Sequence, residues 1–217
     1  MTRILLAGAT GMVGTAALKL LLADARVTQI VAPTRRELPL HARLTNPITT
    51  IADLPHSADW WAVDGVICAL GTTRAKTPDP VAYRTIDHDY PLAIATLARK
   101  AGASRFALTS STGADATSRF AYLRLKGELE DGIGQLGFPS LTIARPGFLG
   151  GERSEHRAME RAMSALLRIA APILPASARI SPASTVAALL VEAALEGGPG
   201  RHVISPADIA RAAERGR

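Results

Sequence analysis

The amino-acid sequence predicts an α/β fold in which a doubly wound parallel sheet carries helices on both faces. Short apolar runs of strand length alternate with longer stretches in which apolar residues recur every three or four positions. A run of glycines separates the first apolar run from the first helical stretch. The length of 217 residues and a hydrophobic content of 47% suit one domain with its own core.

The first half of the chain supplies four of the predicted strands and the first helix. Arg3–Ala7 is apolar enough for a strand, and Met12–Ala23 has the length and periodicity of a helix. Val27–Ala32, Pro47–Ile51 and Gly65–Leu70 are further runs of strand length. Together these runs predict a strand–helix–strand start followed by two more strands.

The middle of the chain continues the alternation. A helix between Pro80 and Gly102 is predicted from apolar residues that step by three or four positions, namely Ile86, Tyr90, Ile94, Leu97 and Ala101. Phe106–Thr109 predicts a strand, Phe120–Leu136 a helix that Gly137 ends, and Leu141–Ala144 another strand. Strands that alternate with helices are joined by right-handed crossovers into a parallel sheet.

The pattern changes after Arg145-Pro146-Gly147. His156–Ala171 and Ser184–Leu195 predict two more helices, and Arg201–Ile204 predicts a short final strand. No stretch is rich enough in Pro, Gly or Ser to separate domains. We therefore predict a single domain over 1–217, with a cofactor-binding core in 1–147 and a small C-terminal cap region with the final strand in 148–217.

Composition narrows the class of protein. The net charge of +6 comes from 25 basic and 19 acidic residues, but the arginines are scattered and aromatic residues make up only 4%, which argues against a specific nucleic-acid site. The single Cys68 excludes a disulfide framework, and the five histidines lack metal-ligand spacing. No segment predicts a signal peptide or membrane span. We expect a cytoplasmic protein, a monomer or homodimer, that acts on a small-molecule substrate without a metal or a membrane.

A glycine loop follows the first predicted strand. Gly8, Gly11 and Gly14 have the spacing G-x-x-G-x-x-G and open the first helix. One glycine permits the tight turn, a second the close approach of a pyrophosphate, and a third close packing of helix and strand. Free N–H groups at the helix start then bind the phosphates. The loop therefore predicts a dinucleotide site of the Rossmann type.

Two further positions bear on the choice of dinucleotide. Arg35 and Arg36 follow the second strand, where an NAD site has an acidic residue and where arginine accommodates the 2′-phosphate of NADP. They favour NADP(H) over NAD(H), the alternative being two solvated loop arginines. Asp53, after the third strand, is a candidate contact for the adenine, with a surface turn as the alternative.

The fourth predicted strand also ends in residues that suit a cofactor. After Leu70, the small Gly71 and the hydroxylated Thr72 would let a ribose lie against the backbone. Cys68 precedes them, and we interpret it as core packing because nothing near it in sequence would lower a thiol pKa.

A catalytic set is predicted around the fifth strand. Ser110 and Ser111 end it, and Tyr122 and Lys126 lie four residues apart at the start of the next helix, so that they share one face. A nearby cation lowers the pKa of a tyrosine, which is otherwise near 10, and lets it exchange a proton at neutral pH. A serine hydroxyl would orient the substrate carbonyl while the cofactor transfers hydride. The alternative is a core tyrosine beside a surface lysine.

These motifs resemble the short-chain dehydrogenase/reductase superfamily in its atypical branch, and within it the HIV Tat-interactive-protein-like oxidoreductases. The resemblance covers roughly residues 3–155. It is carried by the glycine loop and by the runs Cys68–Arg74, Ser110-Ser111 with Gly113–Asp115, Tyr122-Leu123 with Lys126–Glu128, and Arg145–Gly147.

The resemblance also implies roles for individual residues. Residues implied to border the pyrophosphate are Gly8, Thr10, Gly11, Met12, Val13 and Gly14. It places Arg35 and Arg36 at the 2′-phosphate, Leu70 and Gly71 at the ribose, and Pro146-Gly147 at the nicotinamide. Both Ser110 and Ser111 lie at the superfamily's spacing from the tyrosine. We prefer Ser111 as the catalytic serine, with Ser110 at the cofactor.

The function predicted from these residues is NADP(H)-dependent oxidoreduction of a small carbonyl compound or alcohol. The alternative is a regulatory protein that binds NADPH without significant turnover. Asp87 and Asp89 flank a histidine on the predicted helix, and we interpret them as caps or solvated charges. The sequence carries no recognisable code for the substrate itself.

Overall fold

The computed structural model describes residues 2–150 and 180–215, and its main feature is a seven-stranded parallel sheet. The strands are β1 (Thr2–Ala7), β2 (Val27–Val31), β3 (Leu44–Thr45), β4 (Gly65–Cys68), β5 (Arg105–Thr109), β6 (Ser140–Ala144) and β9 (Gly200–Ile204). Their order is β3-β2-β1-β4-β5-β6-β9. The chain thus leaves β1 in one direction and returns to build the other half, which confirms the doubly wound, Rossmann-type prediction.

Helices cover both faces of this sheet. They are α1 (Met12–Ala23), α2 (Pro80–Arg84), α3 (Tyr90–Lys100), α4 (Ala121–Gly134), α5 (Ala183–Glu196) and α6 (Pro206–Arg215). Alternate residues of β1 serve the two layers, as a strand's period of two requires. Ile4 and Leu6 belong to the cluster that contains residues of α1 and α5, whereas Leu5 and Ala7 belong to the one that contains residues of α3 and α4.

The third strand differs from its prediction. Pro47–Ile51 was expected to be a strand, but β3 is Leu44–Thr45, which pairs with Ile30 and Val31. Pro47 has no N–H to give to a ladder, and beyond it only one isolated bridge forms, between Thr34 and Ile48. Ile48 is also 54% exposed. The apolar character of this segment therefore does not report burial in the sheet.

The long helix after β4 contains a change of period. Between α2 and α3 the residues Thr85–Asp89 form a π-helical turn, whose wider winding a 3.6-residue pattern does not detect. The helix starts where the Asp79 carboxylate accepts the N–H groups of Val81 and Ala82, and it has proline in its first turn. The π turn rotates Asp87 and His88 into buried positions.

The described part of the region after residue 147 contains strands and helices that were not all predicted. It holds a two-stranded parallel pair, β7 (Phe148–Gly150) with β8 (Ile180–Pro182), then α5, β9 and α6. The pair and α6 were not predicted. Helix α5 belongs to the core, because Val186 and Leu190 are fully buried in the same cluster as residues of α1. The predicted helix His156–Ala171 lies outside the described residues, and a substrate cap within 148–217 stays a prediction.

Candidate functional site

The glycine loop lies at the carboxyl end of β1, beside the end of β4, where the strand order reverses. Gly8 has φ of 87°, a left-handed conformation that favours glycine. A Cβ there would lie 2.6 Å from the Ala69 carbonyl oxygen. At Gly14 a Cβ would lie 2.0 Å from the Gly8 carbonyl oxygen. The backbone of β1, α1 and β4 is therefore packed so closely that neither glycine has room for a side chain.

The start of α1 suits an anionic group. Its N-cap is Gly11, so no side chain caps the helix, and no acidic residue occupies the first turn. The N–H groups of the first turn have no acceptor within a helix, and the positive end of the helix dipole lies there. Thr10 is exposed beside this turn, whereas Val13 is buried in the core. The residues present thus fit a pyrophosphate held by backbone N–H groups.

Arg35 and Arg36 lie on the loop after β2, and both are exposed. The loop itself is held in place, since the Thr34 hydroxyl donates to the Arg36 carbonyl over 2.7 Å and the Asn46 amide donates to Thr34 over 2.7 Å. Within residues 2–150 and 180–215 neither guanidinium forms an ion pair. Asp53 is also exposed, and its carboxylate accepts the Thr50 hydroxyl. These two arginines are therefore available to a ligand.

The end of β4 is tied to the helix layer. The Thr72 N–H donates to Asp87 Oδ2 over 2.8 Å, and the Thr72 hydroxyl lies 2.9 Å from that of Thr77. Leu70 is partly buried and Gly71 exposed. Burial raises the pKa of the Cys68 thiol to about 11, so it stays protonated at neutral pH, in keeping with its interpretation as core packing.

Lys126 is buried, with its side chain 4% exposed, and its Nζ lies 2.6 Å from Asp87 Oδ1. The alternative interpretation of Lys126 as a surface lysine is therefore wrong. The interpretation of Asp87 as a cap or solvated charge is also wrong, because its side chain is 2% exposed and both its oxygens bind partners within the protein. No local signal marked its burial, because the π turn Thr85–Asp89 breaks the 3.6-residue period that would relate Asp87 to the residues after it.

Tyr122 lies one turn before Lys126 on α4 and is 41% exposed, so a substrate has access to it. Tyr83 is a second tyrosine close by, but it is buried beneath the Arg74 guanidinium, 4.7 Å from the ring centre. Burial first, and then the charge of Asp87, raise the pKa of Tyr83 to about 12. Of these two tyrosines, Tyr122 is the one whose hydroxyl a ligand can reach.

The two serines after β5 differ in their surroundings. The Ser110 hydroxyl is buried and donates to Glu130 Oε1 over 2.6 Å, which directs it into the protein. Ser111 is only half-buried, and its hydroxyl makes a long bond of 3.3 Å to the neighbouring Thr112 carbonyl. Of the two, Ser111 has the hydroxyl that is free to turn toward a ligand.

The loop between β5 and α4, which contains Ser111 and is called the serine loop, packs closely on α4 and on the end of β6. A Cβ on Gly127 would lie 2.1 Å from the Ala116 nitrogen, so the loop after Ser111 rests directly on α4. The Thr112 N–H donates to the Pro146 carbonyl over 2.9 Å, and Gly147 donates to the Ser181 hydroxyl over 3.2 Å. The structure thus connects the segments that carry Ser111, Tyr122 with Lys126, and Pro146-Gly147.

Residues 2–150 and 180–215 contain no group of three His, Cys, Asp or Glu side chains placed to hold a metal ion. Over the same ranges, no helix has the length and apolarity needed to cross a membrane.

The chain is similar in sequence to known proteins. The model of the NAD dependent epimerase/dehydratase family matches residues 4–119. Protein fmp52, mitochondrial, of Emericella nidulans is 39% identical over 170 residues, which are 74% of this chain and 72% of that protein. Protein HTATIP2 of Rattus norvegicus is 34% identical over 159 residues, which are 71% of this chain and 65% of that protein.

Solved structures show the same fold. MoeE5 in complex with UDP-glucuronic acid and NAD has a TM-score of 0.71 at 18% identity, over 94% of this chain and 75% of that one. The Bordetella bronchiseptica enzyme WbmH in complex with NAD+ has a TM-score of 0.67 at 18% identity, over 93% and 75%.

The expectation of a cytoplasmic protein is wrong. It is contradicted by relatives from Emericella nidulans, Aspergillus niger and Candida albicans, which are named as mitochondrial proteins. The expectation rested on the lack of a secretory signal and a membrane span, and neither feature separates the two compartments.

The family match covers β1 to the end of the serine loop, and the relatives extend it beyond α4. The glycine loop, the strand order and the buried Lys126 agree with it. The chain belongs to the NAD dependent epimerase/dehydratase family, in the atypical short-chain dehydrogenase/reductase branch that includes the Fmp52 and HTATIP2 proteins.

Proposed function

We propose that this chain is an NADP(H)-dependent oxidoreductase that reduces a small carbonyl compound or oxidises the corresponding alcohol. The observation that carries the proposal is the buried Lys126, one turn after the accessible Tyr122 and ion-paired to Asp87 at 2.6 Å. The other oxygen of Asp87 accepts the Thr72 N–H, so Asp87 connects this lysine to the loop predicted to hold the cofactor. A lysine kept only for surface charge would not be buried in this way.

The cofactor, when bound, supplies the hydride. The first turn of α1 and the glycine loop would hold its pyrophosphate, and Arg35 with Arg36 would bind a 2′-phosphate through their guanidinium forks. Asp53 remains a candidate for the adenine, Leu70 to Thr72 for the ribose, and Pro146-Gly147 for the nicotinamide. The complexes of MoeE5 with NAD and of WbmH with NAD+ support a dinucleotide of this class.

Three side chains would handle the substrate. In reduction, Tyr122 would donate its phenolic proton to the carbonyl oxygen, and the Lys126 cation would stabilise the phenolate that remains. Ser111 donates a hydrogen bond to the same oxygen and so orients it. In oxidation the proton moves the other way, and Tyr122 acts as the base.

Substitution of Tyr122 tests the chemical assignment. Tyr122→Phe keeps the ring but removes the transferable proton, so turnover should fall by roughly 10²–10⁴-fold while NADPH still binds. Lys126→Met should also slow turnover, and it should weaken NADPH binding if the lysine contacts the nicotinamide ribose. The measurement is NADPH absorbance with a panel of small aldehydes, ketones and quinones.

Two results would change the proposal. Undiminished turnover in Tyr122→Phe would remove that residue from the mechanism. Tight NADPH binding by the wild type without oxidation of NADPH by any compound in the panel would favour the alternative, a regulatory protein that binds the nucleotide.

A further inference from the structure

A buried carboxylate lies beneath the candidate site and has no role in the mechanism above. Glu130 continues the row of Tyr122 and Lys126 on α4, since the three residues are four positions apart and share one face of the helix. Its side chain is 1% exposed, between strands β5, β6 and β9. An ionised carboxylate in such a place is strongly unfavourable unless its oxygens are fully hydrogen-bonded.

Four donors satisfy those oxygens. Oε1 accepts the Ser110 hydroxyl over 2.6 Å and Arg145 Nε over 3.0 Å. Oε2 accepts Arg145 Nη2 over 2.6 Å and Arg201 Nη2 over 3.2 Å. The hydrogen bonds to Glu130 also raise the pKa of Arg145, so this guanidinium stays charged. One side chain of α4 thereby holds residues from the ends of two central strands and from the edge strand.

The residues that bind Glu130 are neighbours in sequence of predicted site residues, so that Glu130 can affect the site as well as the packing. Ser110 immediately precedes Ser111, and Arg145 immediately precedes Pro146-Gly147. A leucine at position 130 would fill the same space beside the buried Leu129 and Ile133, but it would bind neither neighbour. The carboxylate sets the distance from α4, which carries Tyr122 and Lys126, to both of the other catalytic segments.

We propose that Glu130 is a positioning residue, which holds Ser111 and Pro146-Gly147 at the correct distance from Tyr122 and Lys126 by way of Ser110 and Arg145. The inference rests on the proposed function for its catalytic part. Its binding part requires only that Pro146-Gly147 face the nicotinamide of a dinucleotide. Geometry of this kind matters because a displacement of about 1 Å can lower a rate by about 10²-fold.

Glu130→Gln tests the catalytic part. The amide keeps the size of the side chain, but its NH₂ group faces a guanidinium and cannot accept the second pair of hydrogen bonds. We expect kcat to fall by about 10-fold to 100-fold with little change in substrate KM. The primary isotope effect with NADPH deuterated on the transferred hydrogen should rise, because hydride transfer becomes slower relative to binding. A merely structural role would lower the melting temperature without moving that isotope effect.

A pair of ligands tests the binding part without any turnover. NADPH carries the nicotinamide, and 2′-phospho-ADP-ribose lacks it but keeps the adenosine half. In Glu130→Gln the Kd of NADPH should rise several-fold while that of the fragment stays unchanged. Because this comparison needs no substrate, it still decides the role of Glu130 if Tyr122→Phe were to show that the catalytic assignment is wrong.

Two further variants complete the test. Ser110→Ala removes one hydroxyl, folds more safely than a change at Glu130, and should reproduce a smaller fall in kcat with the same rise in isotope effect. Combined with Glu130→Gln it should lower kcat further than either single change, since the amide oxygen of the glutamine can still accept the Ser110 hydroxyl. Glu128→Gln is the control, because it removes the same charge from the same helix at a surface ion pair with Arg84.

The proposal would be overturned if Glu130→Gln kept the wild-type kcat, the wild-type isotope effect and the wild-type ratio between the Kd of NADPH and the Kd of the fragment. If Glu130→Gln does not fold, Ser110→Ala decides. Wild-type values in Ser110→Ala would overturn the proposal, and a lower kcat with a larger isotope effect would support it. An equal loss in Glu128→Gln would show that helix charge, not position, is responsible.

Discussion

Lys126 and Asp87 show how much of the site depends on single residues. A spacing of four residues from Tyr122 was enough to predict Lys126 on the correct face of its helix. Its buried partner was not predicted, because a carboxylate within a helical pattern is usually solvated. The contact comes from β4, the π turn and α4 together, and residues so far apart in sequence carry no local signal. Glu130 was missed for the same reason, although it continues the Tyr122–Lys126 spacing.

The Asp87 charge should stabilise the folded protein through Lys126. Asp87→Asn keeps an acceptor for the Thr72 N–H but leaves Lys126 buried without its counter-charge. Removing one partner of a buried ion pair is strongly destabilising, by about 3–5 kcal/mol, because the other group loses its compensation. The free energy of unfolding should therefore fall by about that amount in Asp87→Asn.

The control for this prediction is Asp89→Asn. Asp89 lies two residues further on, is half exposed, and contacts His88 and Arg84 rather than Lys126. Urea denaturation of both variants provides the measurement. An unchanged free energy of unfolding in Asp87→Asn, or an equal loss in both variants, would contradict the role given to Asp87.

At the scale of elements, local patterns predicted those whose environment is local. Helix α1 has the predicted bounds, because its apolar face packs along its whole length and glycines precede it. The short β3 and the π turn depend on Pro47 and on a change of winding, neither of which hydrophobic periodicity reports. Helix α6 has one buried residue, Ile209, and it contains so few apolar residues that its sequence is typical of a polar tail.

The contact between α1 and the glycine loop gives a prediction for these elements. In Gly14→Val the Cβ would lie 2.0 Å from the Gly8 carbonyl oxygen, so α1 must move away from the loop that it supports. NADPH binding should be lost, because the N–H groups of the first turn move with the helix. The remaining strands and α4 should still fold, so the far-ultraviolet circular dichroism should stay close to that of the wild type.

Ala23→Val is the matched variant on the same helix. It adds the same side chain at an exposed position at the other end of α1 and should bind NADPH normally. Titration by nucleotide fluorescence compares the two. NADPH binding of wild-type strength in Gly14→Val would mean that the loop does not hold the pyrophosphate.

For the whole molecule, net charge and specific recognition of the nucleotide have to be separated. A net charge of +6 attracts any anionic dinucleotide, and salt screens that attraction. A 2′-phosphate bound by Arg35 and Arg36 adds a local term that distinguishes NADPH from NADH. Because a ligand that binds only the folded state raises the melting temperature with its affinity, thermal shifts report this difference.

We expect NADPH to raise the melting temperature more than NADH at equal concentration, and the difference to remain at moderate salt. Arg35→Met/Arg36→Met should abolish the difference by lowering the NADPH shift to that of NADH. Lys100→Met/Arg211→Met removes the same two charges at exposed positions on α3 and α6, and it should reduce both shifts slightly while keeping the difference. Equal shifts for the two nucleotides in the wild type, or a larger one for NADH, would show that these arginines do not read a 2′-phosphate. The exposed loop after β2 would then be a basic surface feature, and the family's common affinity for NAD would extend to this chain without a preference for NADP.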